Sequence, residues 1–405
     1  MTPTLGLGIV GAGRFAGFLA AAVADLPGLQ LRAVADPDRQ RAESLAAGYD
    51  ATASSEWTTL LTDDRVDVLA VTTPPDRHAE VTQAALAAGR HVLCEKPLAT
   101  DLAAARSVAA AAEASGRVLV VDHVLRYNPL LQALVRLQDE LLGPVQRFSF
   151  ENDASDEDLP AGHWFWDADA SGGIFLEHGV HFFDAAHWLL GSTPELVAAV
   201  SADRADGTTD LVSATALHSG GALATHTHGF THADRCERQT LRLDHGSAEV
   251  RVEGWIPLRA RVEAWTDDVG AEMAYSLPSR ADELMHVPGH RLGPGSGVTA
   301  VVHREAGPAR ARGRGRDLDL PHRVVLELVL GDDGSKQRVY AESVRAAAAD
   351  LLSAAAGGPP PRSGPAQALA AVAVADAARR SAAEGRHVRL DQIITLDQSD
   401  DVRTA

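Results

Sequence analysis

Leu5-Gly6-Leu7-Gly8-Ile9-Val10-Gly11-Ala12-Gly13-Arg14-Phe15-Ala16 is a short apolar run that breaks into glycines and then into helix-forming residues. Its G-x-G-x-x-A pattern suits a strand turning into a helix over a phosphate. Gly11 permits the tight turn, Gly13 lets backbone approach a pyrophosphate, and Ala16 lets the helix pack closely on the strand. Arg14 and Phe15, inside the turn, belong to the same candidate cofactor surface. A second apolar run, Leu29 to Ala35, ends in Asp36, about 20 residues beyond the glycines as such a fingerprint requires. A carboxylate there accepts hydrogen bonds from both ribose hydroxyls of NAD and repels the 2′-phosphate of NADP, so NAD is expected. Arg39 nearby keeps NADP open, because arginine can accommodate that phosphate. A glycine-rich turn in an unrelated α/β protein is the competing reading of the motif.

The alternation continues downstream. Val66 to Val71 is a further buried strand, halted by the prolines of Thr72-Thr73-Pro74-Pro75-Asp76-Arg77-His78 before a helix near Ala79 to Ala88. Backbone at Thr73 and Pro74 would lie beside the cofactor's ribose and diphosphate, and His78 is grouped with them. His91 to Cys94, Ala103 to Ala114 and Val118 to Val121 add strand, helix and strand. This order specifies an α/β fold with a doubly wound parallel sheet. Lys96, in Cys94-Glu95-Lys96-Pro97, then stands at the carboxyl edge of that sheet, where open α/β sheets bind ligands. Only Lys96 and Lys336 are lysines among 37 basic residues. A compact, titratable ammonium retained there is a candidate for chemistry, with an ordinary surface lysine as the alternative.

A chain of 405 residues is too long for one ordinary core, so two domains are expected. The boundaries are 1–125 for the dinucleotide-binding domain, 126–390 for a second domain serving substrate and oligomerisation, and 391–405 for a tail. The net charge of −18 argues against a nucleic-acid surface. Arg304 to Arg316 is a local basic run, read as a mobile Gly/Pro/Arg-rich loop, with a polyanion site as the alternative. Two cysteines, Cys94 and Cys236, give neither a disulfide framework nor metal-knuckle spacing. No leader precedes the first strand and no apolar stretch is long enough to span a membrane, so a cytoplasmic protein is expected.

Gly11-x-Gly13, Asp36, Thr73-Pro74, Glu95-Lys96-Pro97 and Arg126-Tyr127-Asn128-Pro129, in this order, resemble the glucose-fructose oxidoreductase, inositol dehydrogenase and rhizopine-catabolism family (Gfo/Idh/MocA). The resemblance implies an amino-terminal Rossmann domain and a second α+β domain built on a mostly antiparallel open sheet. It implies that Lys96 sits beside nicotinamide and substrate hydroxyl, and that Glu95 helps hold the cofactor. A homodimer or homotetramer is implied too. Arg126 and Tyr127 are expected to face substrate.

Ser171 to Gly191 is the candidate for the family's active-site helix. Glu177, His181, Asp184 and Trp188 fall at i, i+4, i+7 and i+11 and share one helical face. Ionisable groups on an apolar stripe are costly unless they line a cavity or pair. His181 suits proton transfer with an alcohol, Glu177 would orient its ring, and Asp184, grouped with the candidate substrate residues, would support the helix or the histidine from behind. The family usually has aspartate where this chain has Glu177. A satisfied core histidine, or zinc on Glu177, His178 and His181, remain alternatives; no metal is expected.

The aromatic loop His163-Trp164-Phe165-Trp166-Asp167 offers rings for stacking on a sugar, Trp166 among them, or simply core. His226 and His228, with His232 behind, form either a substrate floor or a solvated sheet face. Ser279 to Pro321 reads as a long surface excursion, and Tyr340 to Ala355 and Ala366 to Glu384 as alanine-rich helices. The expected function is hydride transfer between NAD, or NADP, and a secondary alcohol or ketone of a sugar, cyclitol or related polyol, with Lys96, His181 and Glu177 catalytic. A redox-neutral glycosidase or lyase, and a non-catalytic NAD sensor, are the alternatives.

Overall fold

The computed structural model describes residues 4–156, 159–160, 162–305, 310–313 and 315–391. Six short strands, β1 (Leu5–Val10), β2 (Leu29–Ala35), β3 (Thr52–Ser54), β4 (Val68–Val71), β5 (His91–Cys94) and β6 (Leu119–Val121), form one sheet. Its order is β3-β2-β1-β4-β5-β6 and every pairing is parallel. β4 is buried at every position, as a sheet covered on both faces requires. Helices α1 (Arg14–Val23), α2 (Arg39–Ala47), α3 (His78–Ala87) and α4 (Leu102–Ser115) connect the strands. Asp38 and Asp101 cap α2 and α4 by accepting from first-turn N–H groups. This is the doubly wound order whose direction reverses between β1 and β4, and the crevice at that reversal is where ligands bind.

A short turn, Val124–Tyr127, and α5 (Pro129–Leu137) lead into the second sheet. Asn128 caps α5 through Leu130 and Leu131 and donates to the Pro257 carbonyl. The strands are β7 (Arg147–Asp153), β8 (Pro194–Asp203), β9 (Thr209–His218), β10 (Leu223–Gly229), β11 (Arg238–Asp244), β12 (Ala248–Glu253) and β13 (Arg259–Thr266). β14 (Ser296–Arg304), β15 (Arg310–Gly313), β16 (Arg316–Asp319), β17 (His322–Leu330) and β18 (Val388–Arg389) follow. Ten of these form one sheet ordered β14-β17-β13-β12-β11-β7-β10-β9-β8-β18. Only the β7–β10 pairing is parallel. Between β7 and β8 lie α6 (Ala168–Ser171), α7 (Ile174–Glu177) and α8 (Val180–Leu190), and between β13 and β14 lie α9 (Asp268–Ser276) and α10 (Ala281–Leu284).

The readings of the long excursion and of the basic run change here. Ser279 to Pro321 is not one irregular excursion. β14 pairs with β17 through nine residues, and the basic run contributes the β15–β16 hairpin; Ala306 to Ala309 and Arg314 lie outside the described residues. The second domain also reaches back. α11 (Lys336–Ala355) packs on α1, while α12 (Pro365–Glu384) packs on α4, α8 and β8. Val121 even donates to the Ser363 carbonyl beside its own sheet. Of the expected tail only Asp391 is described. Among the described residues no helix is long and apolar enough to cross a membrane.

Candidate active site

β5 and β6 end side by side, and Asp122 N–H donates to the Cys94 carbonyl at 2.9 Å. Burial pushes the Cys94 thiol up to about 12, so this cysteine is inert. Glu95 and Asp122 therefore face each other at the sheet edge. Burial raises both carboxyls, mutual repulsion raises Glu95 further, and the positive charge of Lys96 opposes the rise. Two such groups cannot both ionise cheaply.

The Lys96 ammonium crosses the cleft to the second domain. It donates to the Glu177 carboxylate at 2.6 Å and to the Glu177 backbone carbonyl at 2.8 Å, with both side chains nearly enclosed. Glu177 thus holds Lys96 and does not orient His181, contrary to the expectation from helical spacing. The reason is local: the supposed single helix is two. α7 ends at Glu177, the Gly179 N–H reaches back five residues to the Ile174 carbonyl, and α8 starts at Val180. That wide turn rotates Glu177 away from the stripe of α8.

His181 lies under the same field. Burial, then the charge of Lys96, then His123, His178 and His228 hold its imidazole well below the ordinary range, so it is neutral at physiological pH. Its Nδ1 is buried without a protein partner. The Trp255 and His123 rings each stand 6.5 Å from it, centroid to centroid. Tyr340 packs edge-on against Trp255 and continues to Phe18 and Phe15 beside the glycine turn. Burial, then the charges of Glu95, Asp122 and Glu177, raise the Tyr340 phenol. Lys336, the second lysine, stands 5.6 Å over Trp255.

The cofactor side fits a dinucleotide. Gly11 has φ +93°, and a Cβ there would lie 2.7 Å from the Thr72 carbonyl, whereas a Cβ on Gly13 would meet open space. Asp36 accepts from Ala12 N–H at 2.7 Å and Asp38 N–H at 2.8 Å, fixing its carboxylate beside the turn. The groove there runs along Ala12, Gly13, Arg14, Asp38 and Arg41. Arg39 instead pairs with Glu43 on the exposed face of α2, so Arg14 and Arg41 are the arginines that line the groove. Thr73 presents a buried, unpartnered hydroxyl. His78 is a clamp behind this surface: its two ring nitrogens contact the Pro97 and Thr73 carbonyls at 2.7 and 2.9 Å.

Several expected substrate contacts are framework. Arg126 grips Asp184 through both Nε and Nη2 in a buried pair and stacks on Trp188. Tyr127, fully buried, donates to Asp350, which Arg362 also holds. The Trp166 indole donates to the Leu159 carbonyl, packs edge-on against Phe165 and Phe230, and lies beneath Arg204. His226 and His228 are neither a solvated face nor an open floor. They are buried under α8 against Phe183 and Phe150, with His228 Nδ1 3.0 Å from His178 Nδ1. His232 is a partly exposed neighbour of Asp153. With Glu177 on Lys96 and His178 on His228, the zinc alternative loses its ligands; among the described residues no three His, Cys, Asp or Glu converge for a metal.

Asp122, His123, Trp255 and Tyr340 complete the site without having been singled out. Asp122-His123 does carry a signal, since it follows an apolar strand at the same sheet edge as Lys96. Trp255 and Tyr340 arrive from distant elements and carry none.

Comparison with known proteins agrees with this geometry. The oxidoreductase family model with an NAD-binding Rossmann fold (GFO_IDH_MocA) matches residues 5–123, and the GFO/IDH/MocA C-terminal domain model matches residues 131–249. Inositol 2-dehydrogenase 4 of Saccharopolyspora erythraea is 31% identical over 295 residues, 69% of this chain and 82% of that one. Inositol 2-dehydrogenase of Rhizobium meliloti is 30% identical over 200 residues, 49% of this chain and 59% of that one. The match to several curated relatives spans 51% to 59% of their length. Levoglucosan dehydrogenase in complex with NADH superposes with a TM-score of 0.73 at 20% identity, covering 95% of this chain and 99% of that one, a likeness of fold. Two matching domain models that between them take in the Lys96 edge, the Glu177 turn and strands β7 to β11, together with a relative matched along most of its length, make this chain a member of the Gfo/Idh/MocA oxidoreductase family.

Proposed function

We propose that the protein oxidises a secondary alcohol, or reduces the matching ketone, of a sugar, cyclitol or related polyol, with NAD as its cofactor. The observation that carries this reading is the Lys96 ammonium held across the cleft by Glu177, with neutral His181 within its field. Gly11, Gly13, Asp36, Thr73 and the Glu95 edge would hold the dinucleotide, whose nicotinamide supplies the hydride acceptor or donor when bound. His181, neutral, accepts the hydroxyl proton in the oxidative direction. Lys96 stabilises the developing alkoxide, and its two bonds to Glu177 keep it in place for that task. Trp255 and Tyr340 wall the cleft with rings that exclude water and offer faces to a polyol. The names of the inositol and levoglucosan dehydrogenases among the relatives support a polyhydroxylated substrate. A homodimer or homotetramer through the uncovered face of the ten-stranded sheet goes with this reading, and light scattering of the purified protein measures it.

The test is NADH formation against a broad panel of polyols, and NADH consumption against keto-sugars, with NADP in parallel. Turnover with NAD is expected for at least one class, and His181→Ala and Lys96→Met should each lower kcat by roughly 10² to 10⁴. Failure with every polyol and keto-sugar would refute the assignment.

A further inference from the structure

Four buried polar atoms beside the candidate catalytic groups have no protein partner: Asp122 Oδ1, both ring nitrogens of His123, and His181 Nδ1. Asp122 is 2% exposed and His123 1%. Leaving such groups unsatisfied is costly, and buried polar groups left in one place are commonly satisfied by an ordered water. The His123 and His181 rings stand nearly perpendicular with centroids 6.5 Å apart. That separation suits a bridge through one water better than a direct N–H···N bond.

The carboxylates that would ordinarily orient a catalytic imidazole are committed elsewhere. Glu177 holds Lys96, and Asp184 holds Arg126. His178 is turned to His228. What remains next to His181 is His123, on the turn after β6. The charged groups acting on His123 are Asp184, Arg126 and Lys96, while Glu95 and Lys96 act on its neighbour Asp122.

We propose that His123, through one buried water, is the positioning residue for His181. His181 Nδ1–H donates to the water, the water donates to a ring nitrogen of His123, and Asp122 Oδ1 offers the acceptor for the remaining hydrogen. The proton of neutral His181 is thereby kept on Nδ1, and the lone pair on Nε2 is the one turned to the substrate hydroxyl. The wrong tautomer leaves a catalytic histidine in place yet unable to take the proton. This inference rests on the reading of His181 as proton acceptor, so its primary test needs no turnover.

That test is ¹⁵N NMR of the histidine side chains in the intact protein without substrate. Wild type should show His181 as a single Nδ1–H tautomer. His123→Phe, which keeps the ring's bulk and removes both nitrogens, should give a tautomer mixture, and His123→Asn should restore much of the wild-type signal. On a substrate that turns over, kcat should fall roughly 10- to 100-fold in His123→Phe, with KM within about twofold, and recover in part in His123→Asn. A folded His123→Phe protein whose His181 keeps one Nδ1–H tautomer overturns the proposal. Should that variant not fold, an unchanged tautomer ratio and kcat in His123→Ala or His123→Leu does the same. A shifted tautomer in a protein that oxidises nothing would support the positioning role and sink the dehydrogenase reading instead.

Discussion

Lys96 is gripped at two points, by the Glu177 carboxylate at 2.6 Å and by the same residue's carbonyl at 2.8 Å. Glu177→Asp shortens one of those arms by a methylene and leaves the other intact. The ammonium then keeps its neighbourhood and loses its aim, so kcat should drop roughly tenfold with KM little changed, because misplacement of about an ångström is costly in the reacting step. Steady-state kinetics on a responsive polyol checks it, and an unchanged kcat would show that the carboxylate arm is dispensable. Lys96→Met tests the field at His181. Burial is the larger cause of that imidazole's low pKa and the lysine's charge the second, so removing the charge should move the His181 titration upward toward the ordinary 6.5, visible by NMR whether or not the variant is active. Lys96 itself is legible in the sequence because a lone lysine precedes a proline at the end of an apolar run. Glu177's true partner is not, since i, i+4 spacing presumes one continuous helix. Arg126 and Tyr127 mislead for a related reason: the turn Val124–Tyr127 winds their side chains inward, toward Asp184 and Asp350.

The junction of α7 and α8 is the element on which the site turns. A Cβ on Gly179 would sit 2.4 Å from the Phe175 carbonyl oxygen and 3.0 Å from the Phe183 ring, so backbone must move to admit it. Gly179→Ala should lower stability by roughly 1–3 kcal/mol and loosen the Glu177 grip on Lys96. Chemical denaturation reads the first effect and kcat the second, and a variant as stable and active as wild type would mean the junction is pliable. The strand and helix alternation of the first sheet is readable where strands are apolar on both faces, as β4 and β6 are, and where a break carries glycine or proline; β3, a half-exposed edge strand of three residues, has no such run to mark it. Composition misleads where β14 lies: glycine, proline and arginine suggest a loop, yet an edge strand needs only one partner, and β17 supplies it through nine residues. No local pattern announces that α11 and α12 return to α1 and α4, because alanine-rich helices of that kind fit many surfaces.

A set of histidines packed between α8 and the second sheet ties the whole molecule's stability to pH. Burial, foremost in every case, holds His178 at about 3 and His181, His226 and His228 well below the ordinary range. In the unfolded chain they titrate near 6.5, so below that pH the unfolded state binds more protons than the folded one. Stability is therefore complete above about 6.5 and falls as pH drops, by up to ~1.4 kcal/mol per pH unit for each histidine, until its folded pKa is reached. For His178 that point lies near pH 3. Asp122, raised to about 6, works in the opposite sense between that value and its unfolded pKa of about 3.9, and with Glu95 offsets part of the loss. Four histidines against two carboxyls leave a net destabilisation by acid. His226 is the place to test this, because its ring packs on Phe183 and Phe148 and its Nδ1 has no partner. Phenylalanine fills similar space without a proton to bind. His226→Phe should match wild type in Tm near pH 8 and exceed it increasingly as the pH is lowered to 5, whereas parallel Tm curves for the two proteins would show that this histidine is not buried neutral.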